Sequence, residues 1–370
     1  MTLRTPVCDL LGIEYPIFQS GMGGVAGPEL VAEVSKAGGL GILAGLNQTP
    51  EQVRNDIRKV RTLTDKPFGV NLWLHPDLRP PVDVATISKG RVQAVLTTLN
   101  TMRERLGLPV SAAGPTRGPD LVDGAIEVVI EERVPVFSVA LGDPGAALVR
   151  RCHDRGVKVM AMVKSVADAR AVERAGVDVI VAQGGEAGGH RSEWVKSATP
   201  ADAVATMVIV PQIVDAVRVP VVAAGGIADG RGLVAALALG AQGALMGTRF
   251  VVTRESLTAE FRKKSVLEAD SDATVVTDAV SGLWSRYLRN AYIEEYDASG
   301  APVFPVHVQT RAAQDIFNEG TRRQDVAWVP LTTGQSAGLI HDIPGAAEVV
   351  QTVVREARAV LAALGVHDRA

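Results

Sequence analysis

Residues 177 to 190 read Val177-Asp-Val-Ile-Val-Ala-Gln-Gly-Gly-Glu-Ala-Gly-Gly-His190. The first six residues are apolar except for one aspartate, and so short an apolar run predicts a buried β-strand. Four glycines follow it, and because glycine lacks a Cβ, the backbone there can approach a flat ligand closely. His190 adds a side chain whose ordinary pKa lies near neutrality. The segment therefore predicts a ligand site with a proton-transfer group beside it.

Seven more short apolar runs alternate with helical stretches along the chain. The eight predicted strands are residues 16–19, 40–43, 68–71, 135–139, 158–162, 177–182, 220–224 and 241–246. The predicted helices are residues 28–37, 51–62, 146–153, 166–175, 209–217 and 230–239. Glycine directly follows the first, fourth and sixth of these helices, as is typical of helix ends. Eight such alternations predict an α/β protein with a (β/α)8 TIM barrel.

Two regions interrupt the alternation. Residues 75–120 contain a predicted helix at 89–106 and a polar loop at 111–119. Residues 256–325 are predicted to form a helical insertion, with helical pieces at 260–268 and 315–323, that serves as a lid over the substrate. The predicted organisation is thus a barrel at 1–255, the insertion at 256–325, and a C-terminal segment at 326–370 that returns to the barrel.

The C-terminal segment contains one more predicted helix. Asp342 is expected to cap it, with Pro344 in its first turn. An apolar stripe from Val349 to Leu364 indicates that this helix packs against the barrel.

Bulk composition restricts the classes of function. The chain has 370 residues and a net charge of -3 at pH 7, which gives no reason to expect nucleic acid or an anionic membrane as a partner. Two cysteines make no disulfide framework, and neither a signal peptide nor an apolar stretch of about 20 residues is present. We expect a cytoplasmic protein with two free thiols. No metal-ligand spacing, nucleophile elbow or dinucleotide-binding glycine pattern occurs, so we expect no metal.

Glycines at the ends of the last two predicted strands suggest a phosphate site. The seventh strand is followed by Gly225 and Gly226, and the eighth by Gly247 and Thr248. In TIM barrels, the loops after strands seven and eight commonly bind phosphate through backbone N–H groups. The alternative is that these glycines only make tight turns.

Three further rim positions are candidates for contact with a flat ring. Gly21, Met22 and Gly23 follow the first strand, while Asn71 and Gln183 end the third and sixth. Side-chain amides can pair with both donors and acceptors of a ring system. Alternatively, Asn71 caps a loop and Gln183 bonds to the backbone.

His190 is the candidate catalytic base because it lies in a glycine-rich rim loop. Glu186 and Glu193 are close in sequence and are candidates to orient its ring or raise its pKa. His75, after the third strand, is a second and weaker candidate. Comparable context is also lacking around His153, His307 and His341.

Taken together, these motifs resemble the nitronate monooxygenase family, formerly called 2-nitropropane dioxygenases. The resemblance covers nearly the whole chain. The shared blocks are Gln19-Ser-Gly-Met22, Gly69-Val-Asn-Leu72, residues 183–190, residues 223–232, Met246-Gly-Thr-Arg249 and residues 334–340. The block Gln-Gly-x-Glu-Ala-Gly-Gly-His is specific to this family and its close relatives.

The resemblance implies an FMN-dependent barrel with a helical domain inserted late in the chain. The implied FMN contacts are Gly21, Met22, Gly23, Asn71, Gln183, Gly188, Gly225, Gly226, Leu245, Met246, Gly247 and Thr248. His190 matches the family's active-site histidine, which takes the α-proton of a nitroalkane or stabilises a nitronate. The implied reaction oxidises the nitronate with O2 to a carbonyl compound and nitrite.

Related enzymes of the same fold leave alternatives open. An NADH:quinone reductase group has Lys where this chain has Met162, and Cys-Ala-Gly-His where this chain has Glu186-Ala-Gly-Gly-His190, so both positions argue against that group. The FMN-dependent enoyl-[acyl-carrier-protein] reductases share the Gly-Gly-His ending and are the principal rival. A flavin-free phosphate-binding barrel is the third reading. A homodimer is compatible with each of these functions.

Overall fold

The computed structural model describes residues 3–199 and 203–365. All eight predicted strands are present and parallel. They span Ile17–Gln19, Gly41–Ala44, Phe68–Trp73, Val136–Ala140, Lys158–Val163, Val179–Gln183, Val221–Ala224 and Gly243–Met246. Each strand pairs with its neighbours along the chain, and the first pairs with the eighth. The Gln19 N–H donates to the carbonyl of Leu40 at 3.0 Å, which joins the first strand to the second and closes the barrel. The predicted TIM barrel is confirmed.

Helices surround the barrel, and each predicted one is present within a few residues of its expected bounds. The helices of the barrel and its flanks are Pro6–Leu11, Pro28–Lys36, Pro50–Leu63, Val122–Glu131, Gly145–His153, Val166–Ala175, Thr206–Ala216, Gly230–Ala238, Thr248–Val251 and Ala346–Ala363. The predicted stop signals are confirmed: Gly38, Gly176 and Gly240 have φ of +93°, +93° and +90°. Glycine adopts this left-handed conformation without strain.

The C-terminal helix departs from its prediction at its start. It begins at Ala346, and the Gly345 N–H donates to the carboxylate of Glu348 at 3.1 Å. Asp342 is not the cap; its carboxylate instead accepts a hydrogen bond from Arg249 at 2.7 Å. The predicted apolar stripe is confirmed for Val349, Val350, Val353 and Val354, which are buried, but Leu364 is exposed.

The two interrupting regions contain further elements, including strands that the sequence analysis did not predict. The helices are Lys89–Leu106, Glu260–Leu267, Ala291–Ser299, Val308–Ala312 and Gln314–Arg323, with a short 3-10 turn at Val84–Thr86. Two more 3-10 turns, Val326–Trp328 and Gln335–Leu339, lie in the C-terminal segment. Thr274–Thr277 and Ser285–Leu288 form an antiparallel pair, to which the short strand Gly189–His190 is added. The insertion thus extends its sheet with the loop that carries His190.

A second hydrophobic core unites the two interrupting regions. Leu99 and Met102 of the helix Lys89–Leu106 pack with Tyr292 and Phe317 of the late insertion. The buried Arg103 guanidinium bonds to the carboxylate of Asp315 at 2.7 Å across the same interface. Segments far apart in sequence therefore form one body beside the barrel.

Two remaining expectations concern thiols and membranes. Cys8 and Cys152 are free, as predicted, and both are buried. Across residues 3–199 and 203–365, no helix is long and apolar enough to cross a membrane.

Candidate active site

The candidate residues lie at one rim because parallel strands of a barrel end at the same side. This rim is where Gly21 follows the first strand, Asn71 lies near the end of the third, and Gln183 ends the sixth. Gly225 and Gly247 follow the seventh and eighth strands. The fold therefore gathers side chains that are widely separated along the chain.

Gly21 fits against Asn71 only because it has no side chain. A Cβ at Gly21 would lie 2.5 Å from the Asn71 Cβ and 3.0 Å from the Leu43 carbonyl oxygen. The Asn71 amide nitrogen donates to the Ser138 hydroxyl at 3.0 Å, so Asn71 binds the neighbouring strand and does not cap a loop. Gly23 is exposed, and a Cβ there would meet no atom within 4 Å.

Met22 connects the first and eighth strand ends. Its sulfur would lie 3.5 Å from a Cβ placed on Gly247. Leu245 and Met246 are 5% and 1% exposed, so their side chains belong to the cores, and only their backbone is available to a ligand.

Gln183 fixes the conformation of the glycine-rich loop. Its amide nitrogen donates to the His190 carbonyl at 2.8 Å, and its amide oxygen accepts from the Ser192 N–H at 2.8 Å. The alternative in which Gln183 bonds to the backbone is therefore what the structure shows. One N–H of the amide remains for a ligand.

Gly188 is required by packing within the protein. A Cβ there would lie 2.4 Å from the backbone nitrogen of Gly334 and 2.6 Å from the carbonyl carbon of Thr333. The Gly334 N–H in turn donates to the Thr248 hydroxyl oxygen at 2.9 Å. The Thr248 hydroxyl proton is left for another acceptor. Residues 333–334 thus join the glycine-rich loop to the end of the eighth strand.

Glu186 links the same loop to the turn after the seventh strand. Its carboxylate accepts hydrogen bonds from the Thr206 N–H at 2.9 Å and hydroxyl at 2.8 Å. The Thr206 hydroxyl oxygen also lies 3.0 Å from the Gly225 carbonyl oxygen. Gly225 and Gly226 have φ of +110° and +71°, which only glycine adopts readily.

Four backbone donors converge on the last two strand ends. In the part of the chain that the structure describes, the N–H groups of Gly225, Gly226, Gly247 and Thr248 donate to no protein acceptor. Gly225, Gly226 and Gly247 are also partly exposed. Unpaired backbone N–H groups at a barrel rim suit a phosphate.

His190 is held by a residue that the sequence analysis missed. Its Nε2 lies 2.8 Å from the hydroxyl oxygen of Ser281, in the late insertion. Its ring lies edge-on to that of Trp73, with centroids 4.5 Å apart. The Ser281 hydroxyl proton is directed to the Leu283 carbonyl at 3.2 Å. We therefore assign the proton of neutral His190 to Nε2, which leaves a lone pair on Nδ1.

Neither carboxylate expected beside His190 contacts its ring. Glu193 instead accepts from the ammonium of Lys164 at 2.6 Å and from the Ser197 hydroxyl at 2.7 Å. These bonds hold the pKa of Glu193 below its ordinary value although burial opposes them. The prediction that Glu186 or Glu193 orients the ring is wrong, because both carboxylates have other partners.

Burial keeps His190 neutral at pH 7. Burial, together with the nearby His307 and His75, lowers the pKa of His190 to about 3. A neutral ring can accept a proton, but its low pKa makes it a weak base.

Trp73, His75, His190 and His307 form what we call the histidine cluster. The rings of Trp73 and His307 have centroids 5.6 Å apart. Burial lowers the pKa of His307 to about 4 and also lowers the pKa of His75. Sequence spacing could not reveal His307, because it comes from the late insertion and has no motif around it.

Two further histidines of the described residues lie outside the cluster. His153 bonds to Asp178 at 2.8 Å, and His341 is exposed. Among residues 3–199 and 203–365, no group of three histidine, cysteine or carboxylate side chains is arranged to hold a metal ion.

The sequence and this geometry match one family of proteins. The family model described as nitronate monooxygenase matches residues 4–356. The chain belongs to the nitronate monooxygenase family. It is an enzyme of the oxidoreductase class, in a family of flavin-dependent enzymes.

Individual relatives agree with this family. A probable nitronate monooxygenase of Staphylococcus saprophyticus is 36% identical, with 98% of this chain and 99% of the relative aligned. The structure of a nitroalkane oxidase from Streptomyces ansochromogenes superposes with a TM-score of 0.86 at 29% identity, covering 97% of this chain and 99% of that one. FabK from Thermotoga maritima superposes with a TM-score of 0.76 at 34% identity, covering 98% and 99%. This nitronate monooxygenase family member thus matches its relatives from end to end.

Proposed function

We propose that this enzyme binds FMN and oxidises alkyl nitronates with O2 to a carbonyl compound and nitrite. The observation that carries the FMN assignment is the group of four unpaired N–H donors at Gly225, Gly226, Gly247 and Thr248. They would hold the phosphate, together with the free hydroxyl proton of Thr248.

The ring of FMN would lie at the neighbouring part of the rim, after the first strand. Gly23 and its neighbours leave open space in which a backbone can approach a ring, and Met22 is partly exposed beside them. The remaining N–H of Gln183 and the Asn71 amide oxygen would pair with the polar edge of the ring. When bound, FMN would supply electron transfer between the substrate and O2.

His190 is the proposed catalytic residue. The assigned lone pair on Nδ1 would accept the α-proton of a neutral nitroalkane or hold the nitronate beside the ring. A pKa of about 3 makes proton abstraction from carbon unfavourable. A nitronate has already lost that proton, so this geometry supports nitronates as better substrates than neutral nitroalkanes.

The late insertion completes this site in the proposal. Ser281 and His307 belong to residues 256–325, which we propose as the domain that covers the substrate. The barrel at 1–255 and the C-terminal segment at 326–370 complete the proposed domain organisation. The Ser281 hydroxyl would hold the His190 ring in place while substrate binds.

The test is oxygen uptake and nitrite formation by the FMN-loaded enzyme with an alkyl nitronate and with its neutral nitroalkane. We expect oxygen uptake and nitrite formation with the nitronate, and slower oxygen uptake with the nitroalkane. A His190→Asn variant should retain FMN and lose activity on the nitroalkane far more than on the nitronate. An enzyme that holds FMN but consumes no oxygen with nitronates would exclude this function.

A second candidate function rests on the similarity to FabK. It is an NAD(P)H-dependent reduction of an enoyl thioester through the same FMN site. Anaerobic NADPH should bleach the flavin rapidly if this reading is correct, and a crotonyl thioester should restore its colour. A flavin that NADPH and NADH leave oxidised would exclude it. In an NADH:quinone reductase, NADH would bleach the flavin, and a quinone instead of the thioester would reoxidise it.

A further inference from the structure

Two nitrogen atoms of the histidine cluster have no use in the mechanism so far. The Nε2 atoms of His75 and His307 are buried, and neither has a hydrogen-bond partner in the part of the chain that the structure describes. An unpaired buried polar group costs about 1–3 kcal/mol, so two of them beside the catalytic histidine call for a ligand.

His75 presents a donor. The Asp77 N–H donates to His75 Nδ1 at 3.2 Å, so a neutral His75 carries its proton on Nε2. His75 is only 3% exposed, so this N–H group is shielded from bulk solvent. His307 lies on the same indole ring of Trp73 as His190, and its backbone φ of +60° is unusual for a residue other than glycine.

The charges around the cluster favour an anion. Asp77 is the acid beside His75, with its carboxylate 4.0 Å from Nδ1 and about half exposed to water. Glu193 also acts on His75, but the ammonium of Lys164 at 2.6 Å neutralises it. Arg311 is the cation nearest His307, and within the described residues it pairs with no carboxylate. The cluster thus has hydrogen-bond donors and a nearby cation, and Asp77, the carboxylate beside His75 that has no cationic partner among the described residues, is about half exposed to water.

We propose that the histidine cluster binds a small oxyanion and takes up a proton as the anion enters, with His75 and His307 supplying the hydrogen bonds. This rests on the proposed function in one respect, that the physiological oxyanion is the nitronate. Nitrite shares the same chemistry and is the probe for the test. The inference assigns His75 and His307 a role in selecting anionic over neutral substrates.

The physical reason is electrostatic. The imidazoles of His75, which is buried, and of His190 and His307, which are half-buried, stay neutral because charging any one of them alone would be unfavourable in this site. A bound anion makes protonation of one imidazole favourable, because an opposite charge nearby stabilises the protonated ring. Anion and proton enter together, so no net charge is buried. A neutral nitroalkane provides no such compensation.

The experiment is titration calorimetry of the FMN-loaded enzyme with sodium nitrite in the absence of any reducing substrate. Each titration is done in two buffers of different ionisation enthalpy, which gives the number of protons taken up per nitrite. We expect uptake approaching one proton at pH 6. The Kd should rise with pH between 6 and 8, by up to about tenfold per unit, the limit for one linked proton.

Two variants locate the proton and the hydrogen bonds. His75→Gln and His307→Gln should each weaken nitrite binding about tenfold and reduce proton uptake, with retained FMN absorbance showing that the fold is intact. His341→Gln is the matched control, because His341 is exposed and lies outside the cluster. It should bind nitrite as the unaltered enzyme does.

The outcomes separate this inference from the proposed function. Absence of nitrite binding, or a Kd that is the same at pH 6 and 8 with no proton uptake, overturns the inference even if nitronates are oxidised. Proton-linked nitrite binding that is unchanged in both variants overturns the assignment to His75 and His307. Proton-linked binding that the variants weaken, in an enzyme inactive on nitronates, supports the inference and rejects the proposed function.

Discussion

The Nε2 atom of His190 lies 2.8 Å from the hydroxyl oxygen of Ser281. This contact joins the glycine-rich loop after the sixth barrel strand to the late insertion. The two segments are also paired as strands, with Ser285 opposite His190. The candidate catalytic ring is therefore held from outside the barrel.

Removal of the Ser281 hydroxyl should impair catalysis through the position of His190. We expect Ser281→Ala to retain FMN and lower kcat/KM for a nitronate roughly tenfold to a hundredfold, because a misplaced catalytic group costs about that much. Steady-state oxygen uptake measures this. Ser281→Thr should recover part of the loss.

A serine elsewhere in the insertion provides the control for that experiment. Ser299 is exposed; its hydroxyl donates to the carbonyl of Tyr296 and accepts from the Ala301 N–H and the Thr98 hydroxyl, none of which belongs to the histidine cluster. Ser299→Ala should leave kcat/KM unchanged. Equal rates for Ser281→Ala and the unaltered enzyme would show that the contact has no role in catalysis.

Gly23 offers a test of the proposed ring site. A Cβ there meets no protein atom within 4 Å, so Gly23→Ala should change the free energy of unfolding of the FMN-free protein by less than about 0.5 kcal/mol. A ring packed against this backbone would meet the added methyl group, and the Kd for FMN should rise about tenfold. Fluorescence titration of FMN measures it. Gly114→Ala, also in open space, should change neither quantity.

Thr248 should serve both the fold and the phosphate. Thr248→Val removes the acceptor of the buried Gly334 N–H, which should cost about 1–3 kcal/mol of unfolding free energy, and also removes a donor to the phosphate. We expect weaker FMN binding together with lower stability in urea. Thr248→Ser keeps the hydroxyl and should stay close to the unaltered protein in both quantities; a serine variant as impaired as the valine variant would contradict the role assigned to the hydroxyl.

Acidification should destabilise the fold through the buried histidines. The pKa is about 3 for His190 and about 4 for His307, against an ordinary value of 6.5, so the unfolded chain binds more protons between these limits. Stability should therefore fall as pH drops below about 6.5. Each of these two histidines should contribute roughly 2 kcal/mol of loss between pH 7 and 5.

Urea unfolding at pH 7 and pH 5 measures this loss. The His190→Gln and His307→Gln double variant should lose less stability over the same interval than the unaltered protein. The carboxylates titrate mainly below this interval, so they do not mask the difference. An equal loss in both proteins would contradict the assignment.

Local sequence patterns were sufficient to predict the barrel. The run at 177–182 is apolar because a parallel strand is covered on both faces, and all eight such runs became strands. The glycine turns were also recognisable, since Gly225 and Gly226 require backbone conformations that other residues rarely adopt. Local patterns did not predict the strands at Thr274–Thr277 and Ser285–Leu288, which are short and pair with the His190 loop.

The sequence by itself determined the barrel, the family and the rim positions of His190 and the glycines, because strand order and strand ends follow from local patterns. Only the tertiary structure decided what surrounds His190. Ser281, Trp73 and His307 reach it from separate segments, and Glu186 and Glu193 are drawn to other partners. Burial lowers the pKa of His190 to about 3, and burial depends on which distant segments pack together, which no local pattern encodes.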